Sequence, residues 1–209
     1  MSNLNEVVPA IRMWSQFEEE RQIDFNGHYV CHEGESVLID PVEIGEAELA
    51  ELKPLIAENS KTPLKAILLT NLHHERDSAR LKKLFSVPVW VHEKDASGLE
   101  EPAEKTYGDG DQLPCGLRVI HLADQKTAGE SAFYLSARKI LIVGDSLIGR
   151  VAGKVNLLPP EKYADINKAR AGLAVLKTLD FDTLLVGDGH SILHGAKEEV
   201  NRFLEETFA

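Results

Sequence analysis

Side chains that could bind a metal ion are concentrated directly after an apolar segment at residues 65–70. Within seven positions the chain places two imidazoles, two carboxylates, an amide and an arginine: Asn71, His73, His74, Glu75, Arg76 and Asp77. Imidazole and carboxylate are ordinary zinc ligands, whereas a guanidinium cannot ligate zinc because it keeps its proton. The function therefore depends on whether this cluster holds a metal ion despite its arginine.

Three more polar clusters follow predicted strands further along the chain. They are residues 126–131, which begin with Lys126, residues 144–146, which contain Asp145, and residues 187–190, which contain Asp188 and His190. Loops at strand ends lie on a rigid scaffold, and α/β proteins carry their reactive groups there. We expect these four strand ends to carry the chemistry of the chain.

The elements that must position the clusters are predicted from hydrophobic periodicity. Strands are predicted at residues 11–17, 28–32, 36–41, 65–70, 87–92, 117–122, 132–135, 139–143 and 182–187. Asn26-Gly27 is predicted to form the turn between the first two. Helices are predicted at residues 45–59, from about residue 78 after an N-cap at Asp77, and at residues 161–179 and 195–208.

Runs of strands alternate with strand–helix units, which predicts two sheets between layers of helices. The length of 209 residues and the lack of a linker-like segment favour one domain over residues 1–209.

The composition disfavours several classes of partner. With 23 basic and 34 acidic residues, the formal net charge is −11, which argues against nonspecific binding to nucleic acid or anionic membranes. Two distant cysteines and the lack of an export signal favour a cytoplasmic location. The remaining possible partners are a small-molecule ligand or substrate and, in a homodimer, a second copy of the chain.

The order of these segments resembles the metallo-β-lactamase superfamily over nearly the whole chain. Five segments carry the resemblance: residues 37–41 (family "vLIDpG"), 66–76 (H-x-H-x-D-H), 126–131 ("GHTPGS"), 142–147 ("lftGDsl") and 185–189 ("lpGHG"). The resemblance implies an αββα sandwich with two mixed sheets, and a hydrolase-like activity with metal ions at these strand ends.

Several family ligands are replaced in this chain. The alignment is anchored on Thr70. In the H-x-H-x-D-H segment, Asn71 stands for the first His, Glu75 for the Asp and Arg76 for the third His, while His73 is retained. Further on, Lys126 stands for the His of "GHTPGS" and Asp188 for the last His, while Asp145 is retained. The cationic side chains of Arg76 and Lys126 thus stand at two positions where the family has a histidine. At about 4 Å from a divalent ion, each cation would be repelled by several kcal/mol at an effective dielectric of about 20.

Two hypotheses follow. In the first, the protein is a hydrolase-like enzyme with one divalent metal ion (zinc, iron or manganese), and the ligands are His73, Asp145, Asp188 and His190. The motif favours His73 over His74 as a ligand. The candidate catalytic residues are Asp145, Glu75, Lys126, Arg76 and Asn71, although Asn71 is also an ordinary turn-former.

In the second hypothesis the chain is a metal-free pseudoenzyme. Arg76 and Lys126 then replace the metal ions as counter-charges, and they bind a small anionic ligand or a protein partner.

Overall fold

The computed structural model describes residues 3–57 and 60–206, and it contains two mixed β-sheets. The first sheet has seven strands in chain order: β1 Asn5–Val8, β2 Ile11–Glu18, β3 Ile23–His32, β4 Glu35–Ile39, β5 Leu64–Leu68, β6 Val89–His92 and β7 Lys105–Tyr107. Strands β1 to β4 are antiparallel, and β4 to β7 are parallel.

The second sheet has five strands: β8 Gln112–Leu113, β9 Leu117–His121, β10 Ser131–Leu135, β11 Ile140–Val143 and β12 Thr183–Val186. Their order in the sheet is β12-β11-β10-β9-β8, and β11 and β12 are parallel. The carboxyl ends of β11 and β12 therefore lie side by side.

In the described part of the chain, four α-helices flank the sheets: α1 Glu46–Ile56, α2 Ser78–Phe85, α3 Ile166–Gly172 and α4 Ala196–Glu206. Short 3-10 turns include Leu72–His74 and Leu173–Thr178. Among the residues that the structure describes, no helix is both long and apolar enough to cross a membrane.

The core has three apolar layers, because alternate side chains of each strand point to opposite faces. The central layer joins the two sheets through Val30, Val37, Leu68, Val119, Phe133 and Ile142. The outer layers pack each sheet against helices, with Leu38 and Ile67 near Leu52 and Leu81 on one side, and Leu141 and Leu184 near Leu173 and Val200 on the other. This arrangement confirms the predicted αββα sandwich.

The prediction of a turn at Asn26-Gly27 is wrong, because both residues lie inside β3. A Cβ atom on Gly27 would lie 2.6 Å from the indole of Trp14, so this glycine leaves room for a buried aromatic ring. The side-chain amide of Asn26 donates to the carbonyls of Val186 and Gly189, which ties β3 to the loop after β12. Turn-type residues are used here for packing between the sheets.

The predicted helix at residues 161–179 is broken into α3 and the 3-10 turn Leu173–Thr178. Asp165 begins α3 by accepting hydrogen bonds from the amides of Asn167 and Lys168. At the break, Gly172 packs against the carbonyl of Ala123, where a side chain would not fit. Strands β1, β7 and β8 were not predicted. The predicted ends of the first and last helices, at Asn59 and Phe208, lie outside the described residues.

Candidate functional site

Loops from both sheets border one pocket of about 360 Å³ at the edge of the sandwich. All four predicted polar clusters reach it, through His73, His74, Arg76, Lys126, Asp145 and Asp188. The hairpin between β2 and β3 forms the opposite wall with Gln16, Glu18, Arg21 and Phe25.

Glycines place the two aspartates of this pocket. Gly144 and Gly187 each precede an aspartate, and both pack against the loop that follows β5. A Cβ atom on Gly144 would lie 2.8 Å from Nδ2 of Asn71, and one on Gly187 would lie 2.7 Å from Cε1 of His74. The Gly-Asp pairs in the sequence therefore permit a close backbone approach.

Three buried side chains form a group with the spacing of metal ligands. One ligand-type atom each from His74, Asp145 and Asp188 lies within 4.8 Å of the others. All three residues are buried. His74 thus occupies the place next to Asp145 that the motif alignment assigned to His73.

His74 is held by a buried carboxylate behind it. Its Nδ1 atom lies 2.8 Å from Oδ2 of Asp40, which also accepts from the hydroxyl of Thr70 at 2.6 Å. The backbone amide of Thr70 donates to the other Asp40 oxygen at 2.8 Å. Asp40 therefore fixes the imidazole so that Nε2 faces Asp145, at 3.6 Å from Oδ1.

These contacts favour a charged imidazole. Burial and Arg76 lower the pKa of His74, but the carboxylates of Asp40 and Asp145 raise it more, to about 10. Burial raises the pKa of Asp145, yet His74 and Lys126 outweigh it and hold that pKa well below its usual range. One contact opposes the charged form: Nη2 of Arg76 lies 3.3 Å from Nε2 of His74, where two N–H donors would face each other if the ring were protonated at both nitrogens.

Each aspartate of the group forms an ion pair with a basic side chain. Nζ of Lys126 lies 2.6 Å from Oδ2 of Asp145, and Nη2 of Arg76 lies 2.7 Å from Oδ1 of Asp188. The side chains of Lys126 and Arg76 are only 16% and 14% exposed, so both pairs are largely shielded from solvent. The guanidinium of Arg76 also lies over the ring of Phe25, 4.5 Å from its centroid.

Other predicted site residues lie away from this group. His73 and His190 are exposed; His73 lines the pocket but is not one of the three clustered residues. Glu75 accepts hydrogen bonds from the backbone amides of Glu100 and Glu101, which turns its carboxylate towards a neighbouring cavity. The ligand roles of His73 and His190 and the catalytic role of Glu75 stay predictions.

Asn71 has the turn-forming role that its position indicates. Its Oδ1 atom accepts from the amide of His73 at 2.9 Å and caps the 3-10 turn Leu72–His74. Its Nδ2 atom is buried and has no partner among the described residues. The short turn also explains why His74, rather than His73, points inward.

No motif in the sequence indicated Asp95, which ties two site loops together. Its carboxylate accepts from the amide of Leu72, the hydroxyl of Thr127 and the amide of Gly129, at 2.7–3.0 Å. A Cβ atom on Gly129 would lie 2.6 Å from Cγ of Asp95, so this glycine permits the contact. Asp95 thereby sets the position of Lys126 relative to the β5 loop.

Two buried titratable groups lie close to the charged group. Glu130 accepts from the amide of Ser146 at 3.1 Å, and burial together with Asp145 raises its pKa well above the usual value. His28 is fully buried, and neither ring nitrogen has a partner among the described residues. Burial lowers the pKa of His28 to about 4. Glu130 directly follows the "HTPG" position, whereas no motif in the sequence indicated His28.

The sandwich and its strand-end site define a class of proteins related to metallo-hydrolases. The sequence matches the metallo-beta-lactamase superfamily over residues 1–207, and the chain belongs to this superfamily. No curated protein matches the sequence significantly.

Solved structures agree with this assignment. A metallo-beta-lactamase from Pontibacter korlensis is 19% identical, with a TM-score of 0.74 over 96% of both chains. DIM-1 metallo-beta-lactamase is 16% identical, with a TM-score of 0.74 over 97% of this chain and 96% of that one. A metallo-beta-lactamase family protein from Thermus thermophilus is 19% identical, with a TM-score of 0.68 over 97% of this chain and 81% of that one. At these identities the likeness is one of fold.

The family usually binds zinc, and the residues present here do not fit a dinuclear zinc site. Both carboxylates of the ligand-like group are ion-paired with basic side chains, and the group offers a single imidazole, whereas a dinuclear zinc site needs several neutral imidazole or thiolate ligands. A divalent ion at this point would also face Lys126 and Arg76, and each repulsion costs about 8 kcal/mol at about 4 Å and an effective dielectric of about 20.

Proposed function

We propose that this protein is a metal-independent member of the superfamily whose pocket binds a small anionic ligand, a carboxylate or a phosphate, through Arg76 and Lys126. One observation carries the proposal: the two aspartates of the ligand-like group are bonded to Lys126 and Arg76 at 2.6 and 2.7 Å. Protein cations thus supply the positive charge that a metal ion would otherwise supply.

The cations keep donors for a ligand. Arg76 gives Asp188 one hydrogen bond from Nη2, and its Nη1 reaches only the carbonyl of Asn26 at 3.5 Å. A guanidinium has five N–H donors in a planar fork that suits carboxylate and phosphate. The guanidinium of Arg21 lines the same pocket and also lies over the ring of Phe25, 5.5 Å from its centroid. Two cations therefore lie over one aromatic ring, and Lys126 is a third cation in the pocket wall.

The volume and shape also favour a small molecule. A pocket of about 360 Å³ lies at the lower end of the range usual for small-ligand sites. The pocket has mixed polar walls, with Gln16 and Glu18 on the hairpin side. These groups can bind hydroxyl or amine substituents of the ligand.

Two measurements on untreated protein test this proposal. Metal analysis by mass spectrometry should give less than about a tenth of an equivalent of zinc, iron or manganese, unchanged after incubation with each metal. Calorimetric titration with inorganic phosphate and with succinate should show binding that Arg76→Met and Lys126→Met each weaken. Lys139→Met is the matched control, because Lys139 forms an exposed ion pair with Asp180. Equal affinities in all variants would refute the anionic site.

A second candidate function rests on the 4.8 Å group of His74, Asp145 and Asp188. It is a hydrolase-like activity with one divalent ion, which would activate water when bound. Lys126 and Arg76 would have to leave the two aspartates first. Stoichiometric metal uptake that is lost in Asp145→Ala would favour this candidate over the first.

A further inference from the structure

A second cavity, of about 350 Å³, lies on the outer side of the molecule, between the segment at residues 150–160, α3 and α4. Its apolar wall includes Leu157, Leu158, Ile166 and Phe203. It shares no lining residue with the pocket at Asp145. The cavity is therefore a separate place at which a ligand could bind.

Two arginines, Arg150 and Arg170, line this apolar cavity. Within residues 3–57 and 60–206, no carboxylate lies within 4.0 Å of either guanidinium. Among the described residues, the guanidinium of Arg150 donates one hydrogen bond, to the carbonyl of Arg21 at 3.3 Å. Nearby Arg202, in contrast, is paired with Glu199 and Glu206. In a chain with a net charge of −11, two neighbouring cations without acidic partners are unusual.

The cavity wall also carries a donor and an acceptor that are buried and unpaired. Nε of Arg170 and Oδ1 of Asn156 have no hydrogen-bond partner among the described residues. Buried polar groups in proteins nearly always have a partner, so such atoms indicate a site for water or a ligand. Both atoms are closed off from solvent, so a ligand in the cavity reaches Arg170 through other atoms of its side chain, which lines the wall.

We propose that this cavity binds a small amphipathic carboxylate, an acid with one anionic end and an apolar body of medium length. The carboxylate accepts from Arg170 and Arg150, and the apolar body packs against Leu157, Ile166 and Phe203. Charge complementarity selects an anion, and the apolar wall selects against inorganic anions. The proposal is independent of what binds at Asp145.

Titration of ¹⁵N-labelled protein with octanoate, followed by amide chemical shifts, tests this site. We expect saturable shifts at residues 150–170 and in the neighbourhood of Phe203, separate from any shifts at the pocket of Lys126. Octylamine, which has the same apolar body with the opposite charge, should leave these amides unshifted. Shifts that map instead to the pocket at Lys126, or equal binding of octylamine, would overturn the proposal.

Variants separate a specific role from a loss of fold. Arg170→Met keeps much of the apolar stem and removes the charge, and it should weaken octanoate binding about tenfold or more. Arg150→Met changes an exposed side chain and provides a second test if Arg170→Met unfolds. Lys168→Met removes a cation from the exposed side of the same helix and should leave the affinity within about twofold. Unchanged affinity in both arginine variants would refute the site.

Discussion

Lys126 and Asp145 form an ion pair of 2.6 Å in which Asp145 is 3% exposed and Lys126 16%. The lysine comes from the loop between β9 and β10, and the aspartate from the end of β11. The pair therefore joins two loops of the second sheet beside the pocket that both residues line. A buried carboxylate of this kind depends strongly on its partner, because a charge left alone in the interior is costly.

Removing the lysine should destabilise the protein more than removing an exposed one. We expect Lys126→Met to lower the free energy of unfolding by about 2–4 kcal/mol, since Asp145 loses its direct counter-charge. Lys139→Met breaks the exposed ion pair with Asp180 and should have a much smaller effect on the unfolding free energy. Urea unfolding at pH 7 measures both values. The double variant Lys126→Met/Asp145→Asn should regain part of the lost unfolding free energy. If it regains none, Lys126 stabilises the protein through packing and not through its charge.

Asp95 should prove as important for the site as the residues that line it. Asp95→Ala leaves the amides of Leu72 and Gly129 and the hydroxyl of Thr127 without their acceptor. We expect a loss of about 2–4 kcal/mol in unfolding free energy, because hydrogen bonds to a carboxylate are among the stronger ones. Hydrogen exchange at Leu72 and Gly129 should accelerate, whereas exchange in α4 should follow only the global change. Unchanged exchange at both amides would contradict the role of Asp95.

The frame of the site was predictable from sequence because it depends on local patterns. Apolar strands that end at Thr70, Gly144 and Gly187 indicated where polar groups would converge, and the structure brings Asp145 and Asp188 together there. The pairing of Arg76 and Lys126 with acidic residues was also expected from charge balance. The strand ends came from local patterns, whereas the place of Arg76 and Lys126 beside the acidic residues came from the resemblance to the family's ligand positions.

The finer geometry was not predictable, because it depends on contacts between distant segments. The 3-10 turn capped by Asn71 turns His74 inward and His73 outward, which the family alignment could not indicate. Asp40 lies in the "vLIDpG" segment, and the hydrogen bond by which it orients His74 spans 34 positions of sequence. Asp95 lies in a segment without a motif. Asp40 and Asp95 each act through three hydrogen bonds to segments that are distant in the sequence, and such contacts leave no periodic pattern.

His28 should make stability depend on pH below neutrality. Its folded pKa of about 4 lies below the unfolded value of 6.5, so the neutral ring stabilises the fold above pH 6.5 and this stability is lost as the pH falls towards 4. Between about pH 6.5 and pH 5 the wild type should lose about 2 kcal/mol from this group. His28→Leu should remove that part of the slope in urea unfolding. The exposed His194→Gln is the control, and an identical slope in His28→Leu and wild type would show that His28 is not the source.

The charged site should become a metal site if its two cations are replaced by imidazole. Arg76→His/Lys126→His removes both repulsive charges and supplies two neutral ligands beside Asp188 and Asp145, the donor types that zinc prefers. We expect the double variant to bind about one equivalent of zinc, while the wild type binds less than about a tenth. Mass spectrometry of metal content after dialysis measures the uptake. The same variant with Asp145→Ala should lose it, because the retained carboxylate is then missing. Zinc bound equally with and without Asp145 would place the metal elsewhere, and equal uptake by the wild type would show that Arg76 and Lys126 do not exclude it.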